Sequence, residues 1–356
     1  MLKIQPQFAQ GIDTVQVLRN ALQSAVELEH ATLPAYLTAL YSIKAGTNRE
    51  AAAIIGSVSV QEMLHMTIAA NILNAVGGHP VIDKPGFIPV YPGPLPMGVH
   101  EGLTISLGKL TRSLVYDVFM TIEEPEVPQD YPVKQPALAM FQQKATAAQE
   151  PGFATIGDFY QAISDAIGRM GDEIFTGDPS HQVVDNTWFP PDQLFPVTDV
   201  ASAQRAIQVI VEQGEGTPKS PREADNEAAL AHYYRLAQIV YARRLVKDPH
   251  EPLGWSYSGA PVGIDPAGIW NLYPNAKTVD YPPGSRARTV SQQFNTTYTA
   301  LLTALHVTFN GEPERLRGAI GLMYELKLTA DQLVAIPLPG TDYTAAPTFE
   351  YAPVNV

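Results

Sequence analysis

Apolar residues recur at alternating steps of three and four along two long stretches near the start of the chain. In the first, Leu18, Leu22, Ala25, Glu29, Leu33, Tyr36 and Leu40 fall on one stripe. In the second, Val58, Glu62, His65, Ala69, Ile72 and Val76 do. That spacing is the period of a helix with one buried face, and it predicts helices over Asp13–Lys44 and Asn48–Gly78. Asp13 stands where it can cap the first. Thr47 and Glu50 offer a Thr-x-x-Glu capping box to the second, and Gly77-Gly78 stop it. Pro34 removes a backbone donor and is expected to kink the first helix just after Glu29. The short link from Ala45 to Asn48 folds the two helices into an antiparallel hairpin.

The same pattern predicts further helices over Ser113–Glu124, Thr155–Phe175, Asp199–Glu212, Asp225–Leu245, Thr289–Phe309 and Pro313–Val334, with a short strand within Gly102–Arg112. His79–Pro96 and Asp248–Pro283 are dense in Pro and Gly without low-complexity repeats, so they read as ordered loops wrapping a bundle. The expected architecture is all-α. Residues 1–247 are expected to form a metal-binding helical bundle with loop insertions. Residues 248–356 add a wrapping loop and a C-terminal helical hairpin packed on the same core.

The stripes are interrupted where chemistry is expected. Glu62 and His65 occupy positions where a bundle normally places Leu or Ile, and their i, i+3 spacing aims both side chains at one spot. A carboxylate and an imidazole on a core face are costly unless compensated, and Glu-x-x-His is the half-site with which helix bundles hold iron or manganese. Glu29 interrupts the first stripe near its middle, so it is expected to meet Glu62 and His65 across the hairpin. His232 is the one imidazole in the apolar and aromatic run AHYYRLAQIV. Asp158 lies beside the stripe Ile156, Phe159, Ile163, Ile167 and Met170. Glu123, in IEEPEVP, could point inward but reads rather as a solvated helix end, and His306 as a structural residue.

Composition narrows the chemistry. The chain has no cysteine, so zinc fingers, iron–sulfur clusters and thiol nucleophiles are excluded, and any transition metal must be held by His and carboxylates. With 23 Lys and Arg against 36 Asp and Glu the formal charge is −13, with no basic cluster, which argues against nucleic acid or an anionic membrane as partner. At 45% hydrophobic and 17% charged residues this is a globular composition. The start of the chain lacks a secretory signature and no unbroken apolar run of about 18 residues occurs, so a cytoplasmic protein is expected, with oligomerisation left open.

The blocks LEHATLPAYLTALYSI, QEMLHMTIAANILNAVGGHP, VYPGPLP, TIGDFYQAI, VEQGEGT, AHYYRLAQIV, FNTTYTALLTALHVTFNG and APTFEY follow one another along nearly the whole chain. In this order they resemble the ferritin-like family of iminophenylpyruvate dimer synthases, a domain of the larger violacein and rebeccamycin pathway enzymes that also occurs in stand-alone bacterial proteins. The resemblance implies a ferritin-like four-helix bundle core, elaborated by long Pro/Gly-rich loops and additional C-terminal helices. It also implies a carboxylate and histidine metal site and oxidative coupling of an aromatic imino acid. Glu29, Glu62 and His65 fit the first half of such a site. His232 would be the second histidine, but Ala229 stands three residues before it and breaks the second Glu-x-x-His. Asp158, Glu212 or Glu215 would then supply the missing carboxylates, to a mononuclear or a di-iron centre; manganese or zinc would suit the same donors. The expected activity is that of a metal-dependent oxidoreductase acting on a small organic substrate. The alternatives are a non-catalytic metal-binding protein and a structural helical scaffold.

Overall fold

The computed structural model describes residues 11–98, 102–125, 127–134, 155–216, 220–221 and 229–352. Two long helices, α1 (Val15–Tyr41) and α2 (Arg49–Ala75), have 27 residues each and so extend about 40 Å. They pack against one another along their length as the central layer. Their facing stripes are almost completely buried, from Leu18, Leu22 and Ala25 on α1 to Val58, Ala69 and Ile72 on α2.

Shorter helices cover one face of this pair. The first, α3, is built of three contiguous pieces, Arg112–Leu114, a π-helical Val115–Phe119, and Met120–Ile122. It is followed by α4 (Ile156–Met170), α5 (Val200–Gln213) and α6 (His232–Val240). α4 packs on α1, α5 and α6 pack on α2, and α3 packs on α6. The other face is covered by the C-terminal hairpin of α7 (Arg286–Phe309) and α8 (Leu316–Val334). Between α6 and α7 the strands β1 (Arg243–Lys247) and β2 (Trp255–Pro261) pair antiparallel, on either side of the 247/248 boundary. Buried residues from all these layers join in one hydrophobic core.

Several element ends differ from the pattern-based expectation, each for a local reason. Thr14, not Asp13, caps α1: its hydroxyl accepts from the Val17 amide at 3.2 Å. The capping box at α2 does not form. The Thr47 hydroxyl donates instead to the Lys44 and Gly268 carbonyls, and Asn48 adopts a left-handed φ of 44° with its amide on Asp265. The helix expected over Asp225–Leu245 runs only from His232 to Val240. Its residues 225–228 lie outside the described residues, and Ala242, at φ 56°, turns the chain into β1, so Arg243 is not on its face. Gly102–Arg112 contributes only an isolated bridge between Ile105 and Gly93. α4 stops at Gly171 instead of running on to Phe175.

Among the described residues α2 is the one helix long and apolar enough to cross a membrane by length and composition, and 61% of that window is buried inside the protein, as in a core helix. The cap assignment at α1 is testable. Thr14→Ala is expected to lower stability by about 1 kcal/mol, whereas Asp13→Ala, at an exposed carboxylate, stays within about 0.5 kcal/mol; chemical denaturation of the two variants checks both values.

Candidate metal centre

Four side chains expected to meet do so. Glu29 of α1, Glu62 and His65 of α2, and His232 at the first position of α6 converge between the central pair and the short-helix layer, all buried. His65 Nδ1 lies 3.6 Å from Glu29 Oε2 and 3.6 Å from Glu62 Oε1. His232 Nδ1 lies 3.0 Å from Glu62 Oε1 and 3.4 Å from Glu123 Oε2. The cluster is therefore two triads, Glu29/Glu62/His65 and Glu62/Glu123/His232, which share Glu62. The two imidazole rings face one another at 5.4 Å.

Glu123 corrects the reading of that position as a solvated helix end. It is buried at the C-terminus of α3 and accepts a 2.6 Å hydrogen bond from Tyr36. Its sequence signal is the one that marks Glu29 and Glu62: Val115, Phe119 and Ile122 are buried, and Glu123 continues their face.

Two other expected residues are not brought in. Glu212 is exposed on the last turn of α5, where its carboxylate accepts from Gln208 at 2.6 Å. Asp158 is half-buried in the first turn of α4 and belongs to neither triad.

Glu215 is the acidic residue of the α5 end that turns inward. α5 finishes at Gln213, and the turn at Gly214–Glu215 is held by the His232 amide, which donates to the Gly214 carbonyl at 2.9 Å. A tertiary hydrogen bond thus joins this turn to His232, where Ala229 left the Glu-x-x-His incomplete. The Glu215 carboxylate sits against the start of α4, taking hydrogen bonds from the backbone of Gly157 and Ile156 and the side chain of Thr155. A Cβ on residue 157 would stand 2.6 Å from Glu215 Oε2, so any side chain there would displace that carboxylate. Glu215 Oε1 is buried without a hydrogen-bond partner and lines the same small cavity as Glu29, Glu62, His65 and Glu123.

The surroundings fix which atoms face inward. The Gln61 side-chain oxygen accepts from the Arg235 guanidinium, which only donates. The same oxygen, 3.0 Å from His232 Nε2, must therefore receive a proton from it. The lone pair of the neutral His232 ring is left on Nδ1, and Nδ1 finds no hydrogen-bond partner. On the other side the Gln213 oxygen lies 3.1 Å from His65 Nε2, in the equivalent position. Tyr160 donates to Glu29 at 2.5 Å and Thr32 to Glu62 at 2.8 Å. Burial and the adjoining carboxylates push the Tyr36 and Tyr160 phenols well above their ordinary pKa, so both remain donors.

The electrostatics are one-sided. The cavity lining contains four glutamates and no Lys or Arg. Burial, with Glu123 and Glu29 beside it, holds the Glu62 carboxyl well above the usual range. Burial pushes Glu215 up to about 8 despite its hydrogen bonds at α4.

The residues fit a pair of divalent ions. The triads offer three carboxylates and two imidazoles, nitrogen and oxygen donors only. Donors bound at about 2.1 Å to one ion stand roughly 3.0 to 3.4 Å apart, close to the 3.0 to 3.6 Å between each imidazole nitrogen and its carboxylate neighbours. His232 Nδ1 has no hydrogen-bond partner.

Comparison with known proteins agrees with this geometry. A ferritin-like family profile matches residues 22–241, more than half of the chain and every residue of both triads. The chain belongs to the ferritin-like family. It is 24% identical over 323 aligned residues to dichlorochromopyrrolate synthase of Lentzea aerocolonigenes, an alignment that covers 82% of this chain but only 29% of that protein. A crystal structure of a ferritin-like protein from Caulobacter vibrioides shares the fold, with a TM-score of 0.61 at 23% identity, covering 91% of this chain and 98% of the other.

Without metal, stability is expected to depend on pH through Glu215. Its folded-state pKa is raised to about 8, so the protonated carboxyl stabilises the fold fully below about pH 4.5 and that contribution is lost as pH rises through 8. The melting temperature of metal-stripped protein should therefore fall between pH 5 and 8, and Glu215→Gln should flatten the fall. An identical slope in the variant would contradict the assignment.

Proposed function

We propose that the two triads, which share Glu62, would hold two divalent transition-metal ions, iron foremost, and that the protein is an oxidoreductase acting on a small organic substrate. The observation that carries this reading is the buried convergence of two imidazoles and three carboxylates in two triads that share Glu62, with His232 Nδ1 3.0 Å from Glu62 and 3.4 Å from Glu123. Glu29, Glu62 and His65 would hold one ion, and Glu62, Glu123 and His232 the other. Manganese or zinc would suit the same donors. A pair of iron ions in such a site supplies the electrons for reaction with dioxygen.

The chain's own groups do the rest. Gln61 and Gln213 keep the Nε2 protons of the two imidazoles directed away from the centre, so that both rings present Nδ1 to it. Tyr36, Tyr160 and Thr32 each hold one carboxylate oxygen by a hydrogen bond, which fixes the outward lone pairs and leaves the inward oxygens to bind. Glu215 lines the same cavity and has one oxygen that no other group engages. Leu28, Ile156 and Ile210 close the cavity and exclude bulk water.

The similarity to dichlorochromopyrrolate synthase supports oxidative chemistry on an aromatic substrate, and the imino acid coupling implied by the sequence is the specific form to test. This chain spans less than a third of that protein's length. One observation favours a second reading, a non-catalytic metal-binding protein: the cavity at the centre is only about 20 Å³, room for a water-sized molecule and not for an aromatic acid.

Elemental analysis of protein loaded anaerobically with iron(II) tests the site. Glu62→Ala is expected to lose both ions, His65→Ala and His232→Ala to keep at most half of the wild-type content, and Glu212→Ala and Asp158→Ala all of it. Full occupancy in Glu62→Ala would refute the assignment. Dioxygen uptake by the loaded protein then separates the readings. Acceleration by the imine of an aromatic 2-oxo acid supports the oxidoreductase; uptake indifferent to any organic compound supports the metal-binding protein.

A further inference from the structure

A wide apolar cavity lies on the side of α1 and α2 that faces away from the metal centre. It has a volume of about 360 Å³ and lies between the central helices and the α7/α8 hairpin. Adjacent residues divide the two sites: Glu29 faces the centre while His30 lines the cavity, and Glu62 faces the centre while Met63 lines the cavity. The volume falls within the roughly 300–1,000 Å³ of small-molecule pockets.

From the floor and the mouth the cavity reads as a built pocket. The floor is fully buried, with Leu302, Phe309 and Phe349 each no more than 2% exposed. The mouth is apolar as well: Val60, Trp188 and Tyr324 line the cavity while 50%, 43% and 62% exposed. Large apolar side chains left in water at the opening of an apolar pocket mark a place where something apolar enters.

Polar groups in the wall are few, and one of them lacks a partner. His30 Nε2 and the Tyr298 hydroxyl are hydrogen bonded at 2.6 Å, both residues buried in the wall. His30 Nδ1 is buried with no hydrogen-bond partner. The lining contains no Asp, Glu or Arg, and its one lysine, Lys327, is exposed and paired with Asp331 at 2.6 Å. An ionised ligand group would be buried here without a counter-charge. Methionines 63, 66 and 323 in the wall can adapt to ligands of different outline.

We propose that this cavity is a binding site for an uncharged, largely apolar small molecule, such as a long-chain alcohol or an uncharged aromatic. It is separate from the metal centre by one helix layer and does not rest on the metal reading.

The test uses the full chain and the uncharged fluorescent lipophile N-phenyl-1-naphthylamine. Fluorescence titration is expected to show one saturable site per chain, with decan-1-ol displacing the probe at concentrations at least tenfold lower than decanoate. Met63→Trp and Leu302→Trp, on helices from opposite walls, each fill the cavity and should weaken probe binding at least tenfold, with metal content and helical circular dichroism unchanged; either variant that folds suffices. Absence of saturable binding overturns the proposal, as does binding that survives in a folded filled variant. Decanoate competing as well as decanol overturns the assigned ligand class. A wild-type dimer in sedimentation that binds no probe, and that a folded filled variant converts to monomer, overturns it in favour of a contact between copies.

Discussion

Like charge held in a buried space is the constraint on which this structure turns. Four glutamates and His65 line one small cavity, with no Lys or Arg among the described residues of its lining, and His232 lies beside two of those glutamates. In water such carboxylates repel weakly, but burial removes the screening that makes this tolerable. The protein alone can relieve the repulsion by keeping protons on carboxyls that ordinarily lose them, which is the direction in which Glu62 and Glu215 are pushed, while His232 draws Glu123 the other way. Cations in the two triads relieve it without protons. The fold therefore carries a standing cost that bound cations would remove, and under the proposed function binding and stability would be coupled through the same side chains.

The layers around the cavity serve to hold those charges in place. Two helices of 27 residues give Glu29, Glu62 and His65 positions that short helices could not fix alone. The outer shell then sets atoms: Arg235 determines which end of Gln61 faces His232, and Gln61 in turn determines which imidazole nitrogen is bare. On the opposite face, the C-terminal hairpin leaves a wide apolar cavity, so the same helix pair has one charged, closed side and one open, apolar side. The ferritin-like profile ends at residue 241, before that hairpin begins.

The parts of the site written into long periodic helices were legible from the sequence. A carboxylate on an otherwise apolar stripe identified Glu29 and Glu62, and the i+3 spacing added His65. Glu123 carried the same mark, but its helix is only 112–122, contains a π-helical segment that shifts the phase of the stripe, and ends beside Glu124 and Pro125, which read as a solvated terminus. Glu212 and Glu215 could not be told apart by pattern, because the choice depends on where α5 stops. Once the helix ends at Gln213, residue 212 keeps to the outer face and residue 215 follows the turn inward. The broken second Glu-x-x-His was a true break: His232 begins its helix, and its link to Glu215 runs through a backbone hydrogen bond to Gly214 that no local spacing encodes. The capping box at α2 failed similarly, since a loop more than two hundred residues away competes for Thr47.

The most direct test of the central claim is anomalous X-ray diffraction at the iron edge from crystals of iron(II)-loaded protein. The account predicts two peaks per chain, one within Glu29, Glu62 and His65 and one within Glu62, Glu123 and His232. A single peak, or iron bound anywhere that leaves Glu62 without a metal contact, would contradict it.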